Sequence, residues 1–272
     1  MGGHTIKEAE PFNYEEGLAV FAFVIDFFRD KLGSTWNSSE KVSHIGSWVN
    51  KRGNVLYGDM DFAVEIPAKA TPESFYEYFK MTCGRSFEGL PEPVFNKGLS
   101  IISIPVKVGE KICQVDLILT KNLQFSEWIH GISHESQYNA TQRNVLLMAM
   151  VYCQSYKPIE MYYHPQLGEI PITWERDFID INHGLLHGIQ TVKGIKKPVL
   201  KVRKIVEKHL ISDIPVEIIG YIFGDGIAAK NVYLTFEKLF QFCERHKCRN
   251  WIFETTLRNM KRLNIEIPKE LT

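Results

Sequence analysis

His44–Ile66 reads HIGSWVNKRGNVLYGDMDFAVEI. A Gly-Ser pair, Gly46 and Ser47, is followed after eleven residues by two aspartates flanking one methionine, Asp59-Met60-Asp61, inside an apolar run. Side chains alternate faces along a strand, so Asp59 and Asp61 point one way while Met60 and Phe62 point the other. Adjacent carboxylates repel unless a hard cation lies between them, and oxygen-only ligation with few protein ligands suits magnesium. The spacing therefore predicts a strand with a metal at its edge.

Upstream, apolar Val42–Ile45 predicts a strand that Gly46-Ser47 turns into a short polar segment, Trp48–Arg52, expected to be helical. Glycine permits close backbone approach to a ligand, and amides at a helix start can hold phosphate oxygens. Read together, the two halves describe a cradle for a metal-bound triphosphate.

These residues resemble the DNA polymerase β-like nucleotidyltransferase superfamily: Gly-Ser on a strand-to-helix turn, a spacer, Asp-x-Asp on the next strand, and a third acid on a later one. The third acid here is expected to be Asp116, in Lys111–Thr120, KICQVDLILT, and the resemblance spans roughly Phe12–Met150. It implies an α/β fold, a small mixed sheet flanked by helices. It also implies that Asp59, Asp61 and Asp116 are catalytic and bind two magnesium ions, with manganese as an alternative. Gly46 and Ser47 would hold the nucleotide. A segment after the third acid would touch its base or phosphates, with Tyr138, Gln142 and Arg143 the candidates by position. The reaction implied is attack of an acceptor hydroxyl on the α-phosphorus of an NTP, ATP among them, expelling pyrophosphate.

The bulk composition leaves the acceptor open. The 272 residues include 32 basic and 32 acidic side chains, so an anionic partner must be met by a local patch. Lys193–Lys208 is such a run, with seven basic residues against the single acid Glu207, and with Pro198 in a first turn it is expected to form a helix. Lys197, Lys201 and Lys204 would then form one stripe able to face a polynucleotide, RNA being favoured and a tRNA end among the options. A protein or small-molecule acceptor, and a nucleotide-binding module without turnover, are the alternatives. A binding module, however, has no reason to keep a metal-bridging carboxylate pair.

Five scattered cysteines fit a reducing compartment. MGGHTIKEAEP lacks signal-peptide order, no apolar run approaches membrane-spanning length, and Ile6 stands where a myristoylation motif has Ser or Thr. A cytoplasmic protein without a membrane partner is expected. The sequence does not address its oligomeric state.

Along the chain, Asn13 is expected to cap a helix over Phe12–Leu32 with an apolar stripe of Leu18, Phe21, Ile25, Phe28 and Leu32, ended by Gly33. Thr71 and Pro72 begin a second helix whose Phe75, Tyr76 and Phe79 face the sheet. Gly84–Gly98 reads as loop. Leu99–Val108 and Lys111–Thr120 read as strands joined at Gly109-Glu110, and ATQRNVLLMAMVYCQ as helix. The domains expected are residues 1–156, catalytic; 157–174, a proline-containing connector; and 175–272, mainly helical. Within the last, Phe178–Gln190 would carry His183 and His187 on one helix face, with Gly184 where a zinc protease needs Glu. Val232–His246 and Phe253–Leu263 are further helices. Cys243, His246 and Cys248 cluster in sequence, but no second Cys/His pair completes a zinc tetrahedron.

Overall fold

A computed structural model describes residues 5–32, 41–46, 48, 55–131, 136–165, 168–192, 203–224 and 235–272. The chain divides into two compact units, Met1–His134 and Glu135–Thr272.

The first unit is a mixed sheet of order β1-β2-β5-β4-β3, with β1 Val42–Ile45, β2 Asp59–Glu65, β3 Val94–Asn96, β4 Ile101–Val108 and β5 Lys111–Thr120. Only the β2–β5 pair is parallel, with Asp61 opposite Asp116 and Asp59 opposite Gln114. Alternation sorts the faces. Met60, Phe62 and Val64 of β2 and Cys113, Val115, Leu117 and Leu119 of β5 enter the main core, beneath α1 (Tyr14–Leu32) and α2 (Pro72–Cys83). Ala63 and Ile118 face the other way, packing with Ile45, Ile101 and Leu123, the first residue of α3 (Leu123–His130). The aspartates of β2 and β5 belong to this second face.

Local chemistry explains the helix starts. Asn13 Oδ1 accepts from the Glu16 amide and Glu16 Oε2 from the Asn13 amide, both at 2.9 Å, a reciprocal cap at the predicted residue. Thr71 and Ser74 cap α2 in the same way. The buried face of α1 is rotated from the expected stripe: Val20, Val24, Phe27 and Phe28 are buried, whereas Leu18 is 42% exposed. Gly17 leaves room for the Trp48 indole, which lies directly against it. Gly33 and residues 49–52 of the expected short helix lie outside the described residues; Trp48 is a buried turn residue. Gly84–Gly98 is not all loop, since it holds a short 3-10 turn, Gly84–Phe87, and β3.

The second unit corrects the mainly helical expectation. Strands β6 Lys157–His164, β7 Gly168–Asp180, β8 Gly184–Val192 and β9 Arg203–Ser212 form an antiparallel sheet in that order. It is joined by α4 Ala140–Ser155, α5 Pro215–Phe223, α6 Phe236–Glu244 and α7 Arg249–Arg262. The compact units meet at residues 134 and 135 rather than at 156, so α4 belongs to the second unit, where it packs on β7 and the three later helices.

The expected connector, 157–174, is the β6–β7 hairpin. Its prolines are accommodated because β6 is an edge strand and its ladder is irregular between Pro158 and Met161, which pairs with Pro171. The expected helix Phe178–Gln190 is the end of β7, a turn and the start of β8. Gly184, at φ +107° with the Ser212 carbonyl close behind it, suits that turn. Residues 193–202, with Lys197 and Lys201, lie outside the described residues, but from Arg203 onward the basic run is strand rather than helix. Lys204 pairs with Thr191 and Lys208 with Gly188, with a register shift between them.

Gly17→Ala provides a test of α1 packing. In an exposed helix interior the change would stabilise by about 0.5–1 kcal/mol, but here the new Cβ would stand 2.1 Å from Trp48 Nε1. We expect the melting temperature to fall; a rise would show that Trp48 does not seat against the helix.

Candidate functional site

The parallel pairing of β2 with β5 gathers three acids that the sequence separates. Carboxylate oxygens of Asp59, Asp61 and Asp116 all lie within 4.8 Å of one another, and Asp116 is buried. The floor of the cluster is polar and also buried. Ser103 Oγ, across the β4–β5 ladder, donates to Asp116 Oδ1 at 2.7 Å, and Gln114 Nε2 donates to the same oxygen at 2.9 Å. Gln114 is held in turn by the Ile6 amide, which donates to its Oε1 at 3.0 Å. These contacts fix the plane of the Asp116 carboxylate.

Gly46 ends β1 beside this cluster. Its φ of +85° belongs to the left-handed region that favours glycine, and a Cβ there would stand 2.4 Å from Asp61 Oδ2. The backbone thus lies directly on the acid, a closer relation than the spacing alone indicates. Ser47 lies outside the described residues. The preceding His44 is packed edge-on among Trp48, Phe62 and Phe21, with ring centroids 5.1 to 5.7 Å away. Burial pushes its imidazole down to about 4, so the ring is neutral at pH 7 among its aromatic neighbours.

The electrostatics record the crowding. Burial, then the charges of Asp59 and Asp116, raise the Asp61 carboxyl to about 8. Asp116 is also raised by burial, against the opposing hydrogen bonds from Ser103 and Gln114. Without a cation the cluster therefore holds a proton at neutral pH. Three carboxylates this close, with a raised pKa, fit a hard divalent cation, which would relieve both the repulsion and the desolvation. Other acids lie apart: Glu65 accepts from the Leu123 amide at the start of α3, and Asp26 pairs with Arg29 on α1.

The remaining candidates belong to the second unit, within its own contacts. The Tyr138 hydroxyl donates to Glu270, Gln142 completes the α4 cap with Asn139 and donates to the Glu266 carbonyl, and Arg143 is buried with its guanidinium on Asn144 Oδ1. Burial lowers Arg143 to about 10. These contacts suit structural roles. Lys204 lies on β9. His183 bonds Asp180 in the β7–β8 turn, and His187 Nδ1 is 2.7 Å from Asp177, whose other oxygen accepts from Tyr221. Ser103 was not read as functional from the sequence; a lone serine within the apolar strand IISIPVKV was the available signal.

No family model matches this chain, and no curated protein does. Among solved structures it is similar to the ternary P/T complex of Leishmania infantum polymerase beta, with a TM-score of 0.40 and 13% identity, covering 72% of this chain and 66% of that one.

The raised Asp61 predicts a pH dependence. Native protein keeps this proton up to about 8, whereas the unfolded chain loses it near the ordinary 3.8, so between those values the native state binds more protons and rising pH destabilises it. Each pH unit in the window contributes up to about 1.4 kcal/mol. In chelator-treated protein, Asp61→Asn should therefore gain stability over wild type as pH rises from about 5 to about 8, read as the difference in melting temperature. A difference that does not change with pH would mean that Asp61 ionises normally.

Proposed function

We propose that this chain is a metal-dependent nucleotidyltransferase that moves a nucleoside monophosphate from an NTP to an acceptor hydroxyl. The observation that carries the reading is the meeting of Asp59, Asp61 and Asp116 on adjacent parallel strands beside the backbone of Gly46. Binding modules need no such concentration of buried negative charge, whereas phosphoryl transfer requires cations that such a cluster can hold.

Asp59 and Asp61 would hold the cation that accompanies the triphosphate, and both would share a second with Asp116; magnesium is the ion proposed, with manganese as the alternative. Bound there, the cations would lower the pKa of the acceptor hydroxyl and neutralise charge on the transferring phosphate. The protein's own contribution is positioning. Ser103 and Gln114 keep Asp116 in one orientation, and Gly46, having no side chain, lets backbone and carboxylate share the same space. The cluster also takes up a proton when no cation is present and releases it when one binds, so cation affinity should rise with pH. Gly46 and Ser47 are proposed for the phosphates, and Tyr138 and Arg143 remain the sequence-based proposals for the nucleotide.

For the acceptor, RNA is favoured, a tRNA end among the options, on the support of the basic run that holds Lys197, Lys201 and Lys204. Since β9 is a strand, that support is a concentration of charge and not a helical stripe. ATP is the NTP proposed first, and a cytoplasmic setting is consistent with free cysteines.

The test is incubation with each NTP labelled at the α-phosphate, magnesium, and RNA, lysate protein or small-molecule extract. Label should enter RNA, and Asp59→Asn with Asp61→Asn should reduce the uptake by at least about 100-fold with the circular dichroism spectrum retained. Label in protein or small molecules would transfer the reading to those acceptors. Undiminished uptake in the double variant would remove the catalytic assignment, and NTP binding without any transfer would leave a binding module.

A further inference from the structure

The turn between α6 and α7 brings a second ligand set together, in the second unit and of different chemistry. Cys153, in the last turn of α4, meets His246 and Cys248, and their ligating atoms all lie within 4.8 Å of one another. Cys243, which the sequence grouped with His246 and Cys248, is fully buried on α6 and does not join them. A residue from a distant helix takes its place. We propose that Cys153, His246 and Cys248 form a binding site for a soft divalent cation of the zinc class.

The ligands are held before any metal arrives. The His246 amide donates to the Cys243 carbonyl at 3.0 Å, the Arg249 amide to the His246 carbonyl at 3.0 Å, and the Ile252 amide to the Cys248 carbonyl at 3.0 Å, so the turn is defined by its own backbone. Next to the ligands Tyr152 stacks on Trp251, with centroids 5.1 Å apart and planes 22° from parallel, which fixes α4 against α7. Side chains positioned by rigid elements lose little entropy when they ligate.

The donor set is thiolate and imidazole, which selects zinc over magnesium or calcium. Charge balances. One dication replacing two thiol protons leaves a neutral centre, with both protons released to solvent, so no net charge is left half-buried. Burial, then the hydrogen bond with the Cys248 thiol, push the Cys153 thiol up to about 12, so a cation must displace its proton. The Cys248 amide donates to His246 Nδ1 at 3.1 Å, so the turn that carries both ligands also holds the imidazole ring.

Three protein ligands leave a tetrahedral ion one position short. All three line one pocket of about 510 Å³, which Tyr156, Asn250 and Trp251 also line. The fourth position is therefore open to water or a small ligand, unlike a closed structural finger.

The whole 272-residue chain, reduced, is freed of metal and titrated with zinc and, separately, with cobalt as its spectroscopic stand-in. We expect a thiolate-to-cobalt charge-transfer band that zinc abolishes, a zinc-dependent rise in melting temperature, and loss of the band in Cys153→Ser, Cys248→Ser and His246→Ala. Asp59→Asn with Asp61→Asn should keep the band, since carboxylates cannot produce it. Should the variants fail to fold, the wild type still decides: zinc should shield Cys153 and Cys248, by mass spectrometry, from an alkylating reagent that labels both in the metal-free protein. Absence of a thiolate band in reduced wild type, a band unchanged in folded Cys248→Ser, or alkylation unaffected by zinc would overturn the proposal.

Discussion

Asp61 faces Asp116 across the parallel β2–β5 pair, with Asp59 within 4.8 Å of both, and the first unit is arranged to tolerate that repulsion. Its helices α1 and α2 cover only the opposite face, where Met60, Phe62, Val115 and Leu117 are almost completely buried. That core holds the strands in register, and register alone brings the acids together, because a slip by one residue would send each side chain to the other face. Ser103 and Gln114 then donate to Asp116, and the Ile6 amide donates to Gln114, so the buried carboxylate and the amide beneath it are both satisfied. Burying Gln114 is tolerable because both ends of its amide are bonded.

The two ligand clusters follow one logic with opposite chemistry. Where hard oxygen donors are crowded, the negative charges oppose one another and burial lifts Asp61 far above the ordinary carboxylate range. With soft sulfur donors, burial keeps Cys153 neutral and no repulsion arises until the thiols ionise. In each, protons occupy the charge balance that a cation would otherwise supply. Carboxylates exchange them near neutral pH, while thiols must be deprotonated as the metal binds.

The second unit shows where periodicity misleads. His183 and His187, like Lys204 and Lys208, are four residues apart, and such a spacing puts side chains on one face of a helix but also, being even, on one face of a regular strand. It could not distinguish the two. Cross-strand pairing decided both cases: β8 pairs with β7 on one side and with β9 on the other, so the two segments are sheet with a turn before it and not helix. Prolines 158 and 171 read as a connector for a similar reason, since an edge position and an irregular ladder can be recognised only once the partner strand is known.

By itself the sequence determined what short-range physics controls. The cap at Asn13, the Thr71–Pro72 start of α2, the strands Val42–Ile45 and Lys111–Thr120, and the shared face of Asp59 and Asp61 all depend on neighbours within a few residues. Asp116, in a later apolar strand, was reached through the resemblance, whose pattern asks for a third acid there. Tertiary structure decided what depends on distant partners. Ser103 supports Asp116 only through the β4–β5 ladder, Gly46 meets Asp61 only because β1 lies antiparallel on β2, and Cys153 replaces Cys243 beside His246 because α4 packs against α7. Contacts between residues so far apart in the chain leave no periodic trace in the sequence, since they are selected by the burial of whole faces and not by the spacing of neighbours.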